Sequence, residues 1–161
     1  MSGRPGMTTV LRPLRDEEFD AWRARSQAAY AFDLASNGGL EAERAAAKAE
    51  ADYTALLPDR LETPGHAVYA VEHEGADAGS LWLAERTSDT GPGLFVYELY
   101  VDDGKRGRGI GRAAMLLAEE EARQRGIGSI TLNVMGGNER ARGLYRSLAY
   151  REVAVFMEKK L

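Results

Sequence analysis

Hydrophobic and polar positions along the chain change period several times, and each change marks an element. "TTVLRPL" (Thr8 to Leu14) alternates like a short strand and stops near Pro13. Asp16 stands where an N-cap would, with Glu17 and Glu18 in a first turn that favours acids. Phe19, Trp22, Ser26, Ala29 and Tyr30 then recur at helical spacing, predicting a helix to about Ser36, stopped by Asn37-Gly38-Gly39. Ala42, Ala45, Ala46, Ala49, Tyr53 and Leu56 share one face of a second helix that ends before Pro58. The period falls to two in "HAVYAVEH" (His66 to His73) and "GSLWLAER" (Gly79 to Arg86), a hairpin joined by Glu-Gly-Ala-Asp-Ala. "TSDTGPG" is a second turn, and "LFVYELYV" (Leu94 to Val101) a third, nearly all-apolar strand.

After a Gly- and Arg-rich loop, a helix is expected from about Gly109 to Arg125. Ile110, Ala113, Ala114 and Leu117 lie on one face, Glu119/Arg123 and Glu121/Arg125 pair on the wet side, and Gly126 closes it. "SITLNVM" (Ser129 to Met135) reads as a strand, Asn138 as the cap of a last helix to about Leu148, and "REVAVFMEKK" as a closing strand. The order β-α-α-β-β-β-α-β-α-β places antiparallel hairpins before one strand–helix–strand crossover. That is an α+β (α/β sandwich) architecture around a mixed sheet.

Composition narrows the picture. The chain has 161 residues, 44% hydrophobic and 29% charged, as expected of one globular domain over residues 8–161. The opening "MSGRPGM" is expected to be disordered and is no secretory signal, and no apolar run approaches a membrane span. A cytoplasmic protein without membrane contact is the expectation. With no cysteine, disulfides, thiolate metal sites and a Cys nucleophile are excluded. The two histidines, His66 and His73, sit at hairpin ends where surface positions are expected, and no metal is called for. A net charge of −4 argues against a protein built mainly for nucleic acid.

The stretch "LYVDDGKRGRGIGRAAM" carries the chemistry. A P-loop would need Lys where Ile110 stands, and a dinucleotide fingerprint would need its third Gly where Arg112 stands. What remains is R-x-x-G-x-G, from Arg106 through Gly109 to Gly111, between a strand and a helix N-terminus. Glycines permit positive φ, and the helix start offers unpaired N–H groups and a positive partial charge. Together they form an anion cradle, rimmed by Lys105, Arg106, Arg108 and Arg112. Taken alone, the loop reads equally well as a solvated basic turn.

A second stretch, "LNVMGGNERARGLYRSLAY", changes that balance. The two together resemble the GNAT superfamily of acyl-CoA-dependent N-acyltransferases, whose typical patterns are L-x-V-x-P-x-x-R-G-x-G-I-G and N-x-x-A-x-x-L-Y-x-x-x-G-F. The likeness spans Leu94 to Tyr150, about a third of the chain. Gly104 lies where Pro-Glu-Tyr types are frequent, and Ala149-Tyr150 replaces Gly-Phe; neither removes a group the chemistry needs.

The resemblance implies a mostly antiparallel, twisted sheet of about six or seven strands flanked by about four helices. It implies acetyl-CoA as co-substrate, its pyrophosphate held by Arg106, Gly107, Arg108, Gly109, Ile110, Gly111 and Arg112. The pantetheine arm would pair with Leu99, Tyr100 and Val101, and an N–H near Val101 would polarise the thioester carbonyl. Asn138 would also contact the cofactor, and Tyr145 would be the general acid for the thiolate. By periodicity alone, Tyr145 belongs to a core stripe with Ala141, Leu144 and Leu148.

The acceptor would be a primary amine of a small molecule or a protein, attacked directly in a ternary complex. At pH 7 only about one lysine-like amine in a few thousand is neutral, a cost of about 4–5 kcal/mol, so a base is useful. Glu98, a lone carboxylate in an apolar strand, is the candidate, with an ordinary ion pair as the competing reading. Asn133, where some family members carry Glu, would orient water or acceptor. The first two helices and the Thr87–Gly93 loop would shape the acceptor site, and a homodimer is compatible with the family. Two other functions stay in view: a non-enzymatic nucleic-acid module using the 105–112 loop, and a GNAT fold that binds CoA without catalysis.

Overall fold

A computed structural model describes residues 8–161; the N-terminal stretch expected to be disordered lies outside them. The order is β1 (Thr9–Pro13), α1 (Phe19–Ser36), α2 (Ala42–Leu56), β2 (His66–His73), β3 (Ala76–Ser88), β4 (Gly91–Val101), α3 (Ile110–Gln124), β5 (Ile130–Leu132) and α4 (Glu139–Ser147). The described residues form one five-stranded sheet in sequential order, antiparallel from β1 to β4, with β5 parallel to β4. It is the mixed, mostly antiparallel sheet expected, with four helices around it. The strand count is five because "REVAVFMEKK" pairs with no neighbour and stands exposed.

Two apolar clusters lie on opposite faces. Phe19, Trp22, Tyr53 and Leu57 of the α1–α2 side pack on Val68 and Trp82. Tyr53 and Ser26 share a buried hydroxyl–hydroxyl bond of 2.6 Å, so neither polar group is stranded. Leu34 completes the buried stripe of α1, whereas Ala29 is exposed. On the other face α3 packs on Leu81, Leu83, Leu94 and Val96. Its buried stripe is Ile110, Ala114, Met115, Ala118 and Ala122, centred about a quarter turn from the face predicted. The alanines let the helix lie close to the sheet, and Leu117 is left 37% exposed.

Turn chemistry sets the strand lengths. Glu74 and Gly75 have φ of 54° and 79°, a two-residue hairpin whose hand suits twisted strands, so β3 starts at Ala76, earlier than expected. The "TSDTGPG" turn likewise narrows to Asp89-Thr90. The start of α1 also differs. A 3-10 turn, Asp16–Glu18, precedes it, and the Glu18 carboxylate accepts the Arg15 N–H at 2.8 Å. Asp16 is therefore not the cap; it faces Arg60 at 3.5 Å.

One irregularity positions the site. Trp82 pairs with Glu98 but Leu83 pairs with Val96, so Tyr97 is the extra residue of a β-bulge. Two consecutive side chains then face α1: Tyr97 stacks on Trp82 at 4.5 Å and Glu98 reaches Trp22. Pairing of β4 with β5 ends at Val96–Leu132, just before the bulge, and the two strands part beyond it. β5 is correspondingly shorter than Ser129 to Met135, because past Leu132 it has no strand to bond to.

Candidate active site

After Val101 the chain makes a 3-10 turn at Asp103–Lys105 and enters the loop. Gly107 and Gly109 both adopt φ of 77°, a left-handed conformation that side chains with a Cβ rarely take. Gly109 is the N-cap of α3, and the first helical bond runs from the Ala113 N–H to the Gly109 carbonyl at 3.0 Å. The N–H groups of Ile110, Gly111 and Arg112 thus have no helical acceptor, and they converge with the positive end of a four-turn helix.

This loop forms one wall of a cavity of about 390 Å³ whose other walls are the splayed end of β4 and the inner face of α4. Leu99, Tyr100, Val101, Arg106, Gly107, Gly109, Ile110, Gly111, Arg112, Asn138 and Tyr145 all line it. Of the cofactor residues expected, only Arg108 lies outside the lining. Lys105, expected on the cationic rim, lines it too, and Arg140, Ala141 and Leu144 line it without having been singled out as site residues. Ala141 and Leu144 were legible as the α4 stripe that carries Tyr145; Arg140 gave no signal. The Asn138 side chain caps α4 by accepting the Ala141 N–H at 3.1 Å.

The loop cations divide into two sets. Lys105 donates to the Asp77 carbonyl. Arg106 donates to the Val101 carbonyl at 2.9 Å and pairs with Asp103 at 2.7 Å. Arg112 ties α3 to the end of α4 through Ser147, at 3.1 Å to Oγ. These three hold the loop in shape and also line the cavity. Arg108 and Arg140 make no hydrogen bond or ion pair among the described residues and are free to meet an anion. Unpaired helix N–H groups, left-handed glycines and two uncommitted guanidinium groups fit a diphosphate.

Tyr145 projects from α4 into this cavity. Its ring meets the edge of Tyr150 at 5.7 Å, its hydroxyl has no hydrogen-bond partner among the described residues, and burial pushes the phenol up to about 12. Glu98 lies outside the cavity lining, in a network on the α1 side. Trp22 Nε1 and Ser80 Oγ both donate to Oε2, at 2.9 and 2.8 Å. Arg25 stands 3.1 Å from Oε1, donates to Ser80 at 2.7 Å and covers the Tyr100 ring at 3.9 Å. Through Tyr100 the network touches the cavity wall. Asn133 is exposed just past β5 and lies outside the cavity lining.

His73 is buried, contrary to expectation, and His66 is half-buried. His66 is stacked on Tyr97 and its Nδ1 accepts Trp82 Nε1–H at 3.0 Å; burial, then the Arg86 charge, lower its pKa. His73 is buried opposite Thr9, whose hydroxyl lies 2.9 Å from Nδ1, because β1 covers that end of the hairpin.

Known proteins place this geometry in context. A profile described as the acetyltransferase (GNAT) family matches residues 14–150. The uncharacterized N-acetyltransferase YycN of Bacillus subtilis is 31% identical over 156 residues, covering 96% of this chain and 100% of that protein. The crystal structure of YycN aligns with a TM-score of 0.88 at 30% identity, over 96% of this chain and 99% of that one. The fold also matches AAC(6')-Iy in complex with the bisubstrate analog CoA-S-monomethyl-acetylneamine: TM-score 0.64, 16% identity, 96% of this chain and 99% of the other.

Proposed function

Because the chain belongs to the acetyltransferase (GNAT) family, we propose that it moves an acetyl group from acetyl-CoA directly to a primary amine of a small molecule or a protein. The observation carrying this reading is the single cavity joining the glycine loop, the splayed end of β4 and Tyr145. Acetyl-CoA supplies the activated acyl group and a thiolate leaving group. The loop N–H groups from Gly107 to Arg112, with Arg108 and Arg140, grip its diphosphate. Free edge groups of Leu99 and Val101 pair with the pantetheine arm, and the Arg106 side chain gives up the Val101 carbonyl when they do. An N–H near Val101 faces the developing oxyanion.

Tyr145 hands its phenolic proton to the departing sulfur; a phenol at about 12 stays protonated at neutral pH and so remains a donor. Glu98 takes the amine proton through water, with Trp22, Ser80 and Arg25 fixing the carboxylate. Asn133, past the end of β5, orients the acceptor at the mouth. Residues 8–161 act as one catalytic domain, in the cytoplasm. No helix of the described residues is long and apolar enough to cross a membrane.

An amine panel with acetyl-CoA, read by free thiol release, tests the reading. At least one amine class should raise thiol release well above hydrolysis, and Glu98→Gln should depress it most at low pH, where neutral amine is scarcest. Binding of acetyl-CoA with no amine-dependent release from any class would overturn the assignment.

A further inference from the structure

The other aromatic side chains of α1 and α2 are all in ring contact: Phe19 with Trp22, and both Trp22 and Tyr30 with Tyr53. Phe32 makes no ring contact among the described residues and is 72% exposed. Outside residues 151–161 it is the most exposed large apolar side chain described. Its place on the helix is specific. The spacing from Arg25 leaves the two side chains about 20° apart around the axis and about 10 Å apart along it.

That flank of α1 runs from one wall of the cavity to another. At its near end Arg25 covers the Tyr100 ring at 3.9 Å, donates to Ser80 and stands 3.1 Å from Glu98. At its far end Asn37, the C-cap, abuts the loop before α4: a Cβ on Gly137 would stand 2.8 Å from Asn37 Oδ1. Tyr100 and Asn138 both line the cavity, so Phe32 stands between two of its walls. On the opposite flank Arg23 and Tyr30 are tied to Thr54 and Asp52 of α2, which covers that side and leaves this one open. Between Arg25 and Asn37 the open flank carries Ala28, Ala29, Phe32 and Ser36, with no acid among them. The carboxylates nearby are committed: Glu98 to Arg25, Trp22 and Ser80, and Asp33 to Asn37 Nδ2 at 2.5 Å.

Granted acetyl transfer at this cavity, on which the assignment rests, we infer that Phe32 is a specificity-determining wall of the acceptor site. The acceptor it selects is a small monoamine carrying an aromatic or extended apolar group. With the amine at the Glu98 end, a ring several carbons away lies against Phe32, about 10 Å along the helix. Withdrawing that ring from water beside Phe32 and the alanines supplies binding that a bare alkylamine lacks. A polyamine or an aminoglycoside needs idle carboxylates for its further cations, and this flank offers none. A second copy of the chain seated on Phe32 would cover the mouth between Tyr100 and Asn138 and shut the acceptor out. The occupant is therefore the acceptor itself.

Butylamine and phenylbutylamine differ only in the ring, and spermidine represents the polycations. Thiol release from acetyl-CoA should give phenylbutylamine a kcat/KM at least about tenfold above either of the others. Phe32→Ser should erase most of that preference, chiefly through KM, and Phe32→Leu should retain most of it. The side chain is exposed, so the circular dichroism spectrum and Tm of both variants should match the parent. Calorimetry of phenylbutylamine binding to CoA-saturated protein reads the same contact without turnover, and Phe32→Ser should weaken that binding about tenfold. Equal use of the three amines, preference for spermidine, or a ring preference that survives Phe32→Ser would overturn the role of Phe32 and leave acetyl transfer standing. Thiol release with no amine would overturn acetyl transfer and the role of Phe32 with it.

Discussion

Tyr145 shows how much a single side chain's role depends on what surrounds it. Its hydroxyl makes no hydrogen bond among the described residues, and burial alone lifts the phenol to about 12. Such a group cannot serve as a structural tether, and it is protonated throughout the range in which enzymes work. Tyr145→Phe should therefore lower kcat about 100-fold while acetyl-CoA affinity stays within about twofold. The loss should be uniform from pH 6 to pH 10, since the phenol titrates above that window; steady-state rates and a binding titration across pH check both points. Gly109 is a different case, because open space surrounds it and only its φ of 77° is demanding. Gly109→Val should cost about 1–2 kcal/mol of backbone strain and abolish acetyl-CoA binding with the fold intact, as read by calorimetry and circular dichroism.

Among the elements, α1 depends on charge at its start as well as on its apolar stripe. Glu18 accepts from Arg12 at 3.0 Å and from the Arg15 N–H, and Arg12 also holds Glu72 of β2 at 2.6 Å. The Arg12 hydrogen bond, then the Arg15 N–H, lower the Glu18 carboxyl from 4.5 to about 2. A carboxyl depressed on folding stabilises fully above its unfolded value, and the contribution is lost as pH falls through about 4.5 towards 2. Glu18→Gln should thus lower Tm by about 2–4 °C at pH 7 and by much less at pH 2.5, a difference that melts at the two pH values would measure. The bulge in β4 acts at the same scale. By inserting Tyr97 it turns Glu98 towards α1 and ends the pairing with β5, opening the cleft into which the glycine loop feeds.

For the whole molecule, the cavity is an interface of three elements and exists only when all three are folded. Ligand bound there stabilises the native state alone. Acetyl-CoA at 100 times its dissociation constant should add about 2.7 kcal/mol, raising Tm by about 5–10 °C, and absence of any shift at millimolar acetyl-CoA would remove the basis for the assigned cavity.

What the sequence determined by itself was local, where residue chemistry leaves one choice. Left-handed turns need glycine, so Gly107 and Gly109 announced the loop; a helix must be capped, so Asn138 and Gly126 marked α4 and α3; and residues four apart share a helix face, which put Tyr145 on the inner side of α4. Tertiary structure decided whatever needs a distant partner. Glu98 read as a lone carboxylate because Trp22 and Arg25 lie more than 70 positions away, and chain distance hides such contacts. Leu117 read as core because the pattern fixes a stripe only to within a quarter turn, and packing of alanines on the sheet settles which side is buried. The segment 151–157 has the pattern of a strand, yet a strand exists only where its backbone groups bond a neighbouring edge, and they make no such bonds to β5 beside it.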